Sequence, residues 1–133
     1  MKKLIYSVAA FLLPALACTD KEIVSEDQLT DLSEYNMKII PENPTSSDEI
    51  KLVVFDECTY NFLSGVTKNG NTIDIEKKFN SMMMRPCVLQ NDTIPIGKLT
   101  KGTYIVNYKL IDTSTKITNP FFLSFTFKLE VLE

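Results

Sequence analysis

From residue 35 onward the apolar positions recur with a period of two in short runs, and polar or turn-forming residues separate the runs. "YNMKIIP" and "EIKLVVFD" are rich in β-branched side chains and flank "ENPTSSD", a turn composition. "FLSGVTK" and "TIDIEKKF" enclose "NGN", and Asn69-Gly70 between two such runs predicts a tight hairpin. In the second run Ile73, Ile75 and Lys77 share one face, while Thr72, Asp74 and Glu76 share the other. "GTYIVNYKLID" sets Tyr104, Val106, Tyr108 and Leu110 against Thr103, Ile105, Asn107 and Lys109. The last stretch, "PFFLSFTFKLEVLE", places Phe121, Leu123, Phe125, Phe127 and Leu129 together. About seven strands and no strong helix predict an all-β fold, an antiparallel β-sandwich.

The first 34 residues have a different texture. "MKKLIYSVAAFLLPALAC" begins with Lys2 and Lys3, continues through an apolar stretch, and reaches Cys18 through small residues. These are the parts of an export signal. Leu4 to Ala17 is 14 residues, too short to cross a bilayer as a helix, which takes about 20. Residues 1–17 are therefore expected to be removed, leaving Cys18 at the new N-terminus. Residues 19–34 carry six acidic and one basic side chain and hold no firm helical period. They predict a flexible acidic tether, with the folded domain at 35–133.

Ala15-Leu16-Ala17-Cys18 resembles the lipobox of bacterial lipoproteins. The resemblance implies that the Cys18 thiol is diacylglycerated and the signal cut just before it. Two or three acyl chains hold stably at a membrane where one holds only marginally. The family prefers Leu where Ala15 stands, and Ala15-x-Ala17 also suits the general signal peptidase, which cuts at the same bond. Thr19-Asp20-Lys21-Glu22 is similar to the acidic export signal behind the lipidated cysteine in Bacteroidetes, which implies an outer-membrane lipoprotein facing outward. Of the three cysteines, this leaves Cys58 and Cys87, which in an exported protein are expected to pair. The bridge would close about 30 residues, worth roughly 3.5 kcal/mol in the chain-entropy view.

Composition removes several functions. The chain has 133 residues, enough for one domain, and a net charge of −3; without Lys2 and Lys3 it holds 12 basic and 17 acidic side chains, or −5. With no basic cluster, nucleic acid is not an expected partner. Histidine is absent, so a Ser-His-Asp or Cys-His arrangement cannot be built and the commonest metal ligand is missing. No catalytic residue, metal site or cofactor is expected.

Leu99, Gly102 and Tyr104 in "IGKLTKGTYIVNYKLID" fit the Leu-x-x-Gly-x-Tyr run before the sixth strand of fibronectin-III-like and bacterial immunoglobulin-like domains. The resemblance covers about residues 35–133 and implies a tyrosine corner within an immunoglobulin-like β-sandwich. It says nothing of function, because this sandwich hosts many activities.

Other short matches compete with plain structural readings. Asn43-Pro44-Thr45 is similar to the inhibitory loop of chagasin-like inhibitors of cysteine proteases, but it precedes the second strand and Arg85-Pro86 continues to Cys87 where that family has an aromatic residue, so a simple turn is the expected reading. Met82-Met83-Met84 offers thioethers, yet consecutive strand residues point to alternate faces. Asp92-Thr93-Ile94 matches the O-glycosylation sequon of Bacteroidetes, which would modify Thr93. Asp56-Glu57 and Asp74 with Glu76 could flank a cation, although no EF-hand spacing supports this. The expected role is a non-enzymatic, lipid-anchored envelope module that binds or scaffolds a protein or glycan. The alternatives are a protease inhibitor of immunoglobulin fold, or an accessory subunit of a fimbrial or glycan-uptake complex.

Overall fold

The alternating runs are paired strands in the computed structural model, which describes residues 29–58, 63–82, 88–114 and 121–133. The strands are β1 (Met37–Ile40), β2 (Ile50–Cys58), β3 (Leu63–Asn69), β4 (Thr72–Phe79), β5 (Leu89–Gly97), β6 (Gly102–Asp112) and β7 (Phe121–Val131). They form two sheets, β1-β2-β5 and β3-β4-β6-β7. The seven-stranded β-sandwich expected from the alternation is thus present.

Four of the strand pairings are antiparallel; the fifth, β4 with β6, is parallel, so the second sheet is mixed. Between β4 and β6 the chain passes through β5 in the other sheet. Two reversals bring it back in its original direction, so neighbours two strands apart must be parallel. An immunoglobulin-type sheet sets the third strand beside the strand that carries the corner tyrosine. Here the hairpin is turned round and β4 takes that place.

The two inner faces supply one core. Ile50, Leu52, Ile94 and Ile96 from the first sheet meet Ile73, Ile75, Val106, Phe127, Leu129 and Val131 from the second, all essentially removed from water. Tyr35 stacks on Phe125 with centroids 4.4 Å apart, and Phe125 on Tyr108 at 5.1 Å.

The side of the sandwich between β7 and β1 is closed by residues that by sequence belong to the expected tether. Thr30 donates its N–H to the Thr126 carbonyl at 2.9 Å. A short 3-10 helix, Leu32–Tyr35, follows, and Leu32 and Tyr35 pack against the core. The Asp31 carboxylate caps it by accepting from the Ser33 N–H at 3.0 Å. The ordered fold therefore starts before residue 35.

The hairpin turn also lies one residue later than Asn69-Gly70. Asn69 pairs with Thr72, leaving Gly70-Asn71 as the two-residue loop. Gly70 has φ +58, as the first position of a type II′ turn requires. Asn71 fixes this choice: its side-chain amide donates to the Thr103 carbonyl at 2.9 Å, and its own carbonyl accepts from Ile105 N–H.

Candidate functional site

The apolar stripes of the inner faces end, on one side of the sandwich, in charge. On β4 the stripe runs Ile73, Ile75, Lys77, so regular alternation carries a lysine into the space between the sheets. Its side chain is 0 % exposed. On β5 the stripe Ile96, Ile94 continues to Asp92, whose Oδ2 lies 2.6 Å from Lys77 Nζ. On β2 the stripe Ile50, Leu52, Val54 should continue to Asp56, but it does not. Val54 pairs with Asp92 and Glu57 with Gln90, so two residues of β2, Phe55 and Asp56, oppose Asn91 alone.

This is a β-bulge, and one extra residue exchanges the two faces of the strand. It turns Glu57 inward, where its Oε2 meets Lys77 Nζ. Asp56 takes φ +51, a conformation L side chains adopt rarely. The neighbouring Asn36 donates its side-chain amide to the Phe55 carbonyl at 3.1 Å, and Asn91 Oδ1 accepts from the Asp56 N–H at 3.3 Å. The bulge is thus held from both sides.

One ammonium faces two carboxylates across the sheets, a formal charge of −1 in a mostly dry place. Glu57 is only 13 % exposed, whereas Asp92 is 34 % exposed. Burial pushes the Glu57 carboxyl above its ordinary value; Lys77 opposes this and the Asp92 charge adds to it. Tyr108 forms the aromatic neighbour of the cluster. Burial first, then the charges of Glu57 and Asp92, hold its phenol protonated far above the usual tyrosine range.

A second polar knot sits beyond β4 and β6. The buried Asp112 accepts from the Ser114 N–H at 2.9 Å and the Ser81 N–H at 3.2 Å. Burial alone would raise its carboxyl, but these hydrogen bonds together outweigh it and hold the group below the ordinary range. Thr113 donates both its N–H and its hydroxyl to the Phe79 carbonyl, tying the same two strand ends.

The expected site residues are scattered. Cys18 and Cys87 lie outside the described residues, as do Met83 and Met84; Cys58 ends β2 and Met82 is exposed. Thr93 is exposed on β5. Leu99 is buried, and Tyr104, also buried, donates its phenol to the Thr100 carbonyl at 2.9 Å across the bend that Gly102, φ +154, permits. That is the geometry of a tyrosine corner. Asn43-Pro44-Thr45 is bound into the fold: Pro44 is fully buried, its carbonyl accepts from Leu132 N–H at 2.8 Å, and Thr45 bonds to the Asp48 carboxylate.

The acidic pairs do not assemble. Asp56 and Glu57 face opposite ways across the bulge, Asp74 accepts from the Asn107 amide, and Glu76 pairs with Lys78. Among the described residues no group of three His, Cys, Asp or Glu is placed to hold a metal, and no helix is long and apolar enough to cross a membrane.

The sequence shows the Lys77–Glu57–Asp92 cluster only in part. Alternation put Lys77 with Ile73 and Ile75, but nothing in the sequence announces the bulge that turns Glu57 inward. Asp92 stood out only as part of a sequon. Comparison with protein-family models, with curated proteins and with solved structures finds no match.

Proposed function

We propose that this chain is a lipid-anchored cell-envelope protein that presents its β-sandwich as a non-enzymatic binding or scaffolding module for a protein or glycan. The observation that carries the reading is Cys18, placed directly behind an export signal and followed by a short acidic segment. Outer-membrane attachment with the domain facing outward follows from the acidic residues behind Cys18.

Three features of the fold support a displayed module. Cys58 ends β2, and its pairing with Cys87 would suit an oxidising compartment. Thr93 is exposed within its Asp-Thr-Ile sequon, open to an O-glycan. An open cleft of about 450 Å³ lies beside β1 and the 3-10 helix, with Asn36, Lys38, Glu42 and Phe55 among its walls, and offers polar and aromatic contacts to a partner.

The test is incorporation of labelled palmitate into the full chain in a bacterial host, with Cys18→Ser as control. Label in the wild type and its loss in the variant are expected. A chain found in the cytosol with its leader intact, or free of acyl mass in the medium, overturns the anchor. The mature protein immobilised through its C-terminus should then retain a specific envelope protein or glycan from outer-membrane extract, which free mature protein displaces. Turnover of a substrate by the purified protein would refute the non-enzymatic role.

A further inference from the structure

The cluster between the sheets holds more acid than its lysine needs. Asp92 alone neutralises Lys77, and it does so from a regular strand position at 2.6 Å. Glu57 arrives only through a bulge that places a non-glycine residue, Asp56, at φ +51. A conformation of that kind costs about 1 kcal/mol or more and persists where the surrounding structure fixes it, as Asn36 and Asn91 do here. The strained bulge has one evident result: a second carboxyl on the same nitrogen. An amine, a carboxyl to react with and a second carboxyl to move protons are the three parts of an amide condensation.

We propose that Lys77 and Asp92 become joined by an amide bond between Nζ and Cγ, with Glu57 as the proton carrier. The reaction needs no outside reagent. Glu57 takes a proton from the ammonium and delivers it to the departing Asp92 oxygen while the nitrogen lone pair attacks Cγ. The C–N bond forms, the C–O bond breaks, and the second proton lost by nitrogen completes a water molecule. An ammonium and a carboxylate become one amide and one water, and nothing is oxidised or reduced.

The geometry assigns the two carboxyl roles. Asp92 is a third exposed, so the released water has a way out to solvent, whereas Lys77 lies fully buried between the sheets. Glu57 has the longer side chain and the deeper burial, which favours the protonated form that a carrier must visit. Holding the reacting groups in contact replaces a bimolecular encounter with an internal one, an advantage on the order of 10⁵ M or more in effective concentration. The product would bind β4 of one sheet covalently to β5 of the other, a cross-link made without cysteine. It is independent of how the chain is anchored.

The experiment is peptide mapping of the full mature chain by mass spectrometry after reduction and alkylation, so that no disulfide holds fragments together. Expected is one branched species containing Lys77 and Asp92, lighter by one water than its two linear parts, with fragment ions that place the branch at those residues. Lys77→Arg should remove it, and Glu57→Gln should leave the chain largely at its unlinked mass. Wild-type chain at the full sequence mass, or a branch at any other pair, overturns the proposal. Linkage in Glu57→Gln as complete as in the wild type overturns the role given to Glu57. The deciding measurement is made on the wild type, so it depends on no variant folding.

Discussion

Tyr104→Phe removes one oxygen atom from the fold, and its effect can be worked out from the structure. The phenol donates to the Thr100 carbonyl at 2.9 Å and lies 2.9 Å from the Thr100 hydroxyl, while the ring is 6 % exposed and keeps its packing in the variant. The net worth of one such hydrogen bond is about 0.5–1.5 kcal/mol, and a buried carbonyl left unpaired costs about 1–3 kcal/mol. Thr100 is exposed, so water takes over part of the lost bond, and the expected loss is about 1–2 kcal/mol. For a domain of about 100 residues that lowers Tm by roughly 5–12 °C. Urea unfolding followed by tyrosine fluorescence and far-UV circular dichroism should show a lower midpoint at unchanged m-value. Thr100→Val keeps the backbone bond and loses only the hydroxyl, so its expected cost is under about 0.5 kcal/mol. If Tyr104→Phe shifts stability by less than about 0.3 kcal/mol, or Thr100→Val costs as much, the corner is not held by the phenol-to-carbonyl bond.

Asp112→Asn tests the polar knot through its pH dependence. The Asp112 carboxyl is depressed in the folded state, so its contribution is present above the ordinary value of 3.8 and is lost as pH falls through the lower folded value. The variant should therefore be less stable than the wild type at neutral pH, with the gap closing in acid; a gap that widens on acidification refutes the assignment. Gly70→Ala forces a side chain onto φ +58 in a turn with open space around it, so the cost is conformational, about 1–2 kcal/mol by chemical denaturation. Equal stability of the two proteins would count against the II′ turn. Phe127→Ala empties a ring that is 2 % exposed at the centre of the sandwich and should cost about 3–5 kcal/mol, read as the shift in urea midpoint; a loss under about 1 kcal/mol would mean the two sheets are not packed through it.

How much of this was legible depends on whether a feature is periodic. Tyr104, Val106 and Tyr108, or Phe125, Phe127 and Leu129, occupy the inward face that alternation predicts, because each strand there is uninterrupted. The bulge at Phe55-Asp56 breaks that rule by one residue, and from that point parity gives the wrong face: Glu57, not Asp56, enters the interior. The turn moved by one residue for a related reason. Asn71 bonds to Thr103, a partner 32 positions away that no local window contains. Residues 29–34 looked like tether because Leu32 has no periodic companions, yet Leu32 and Tyr35 pack against a core supplied by strands far along the chain. The parallel pairing of β4 with β6 was equally hidden, since strand order within a sheet is set by which faces meet and not by any one strand's composition.

The clasp between the two ends of the domain has a consequence for the order of events in biosynthesis. Thr30 and Tyr35 have their partners at Thr126 and Phe125, and Pro44 and Thr45 have theirs at Leu132, one residue from the last position. A ribosome emits the former long before the latter. The nascent polypeptide therefore cannot make these contacts until β7 has emerged, so the sandwich closes on its last strand and not on its first.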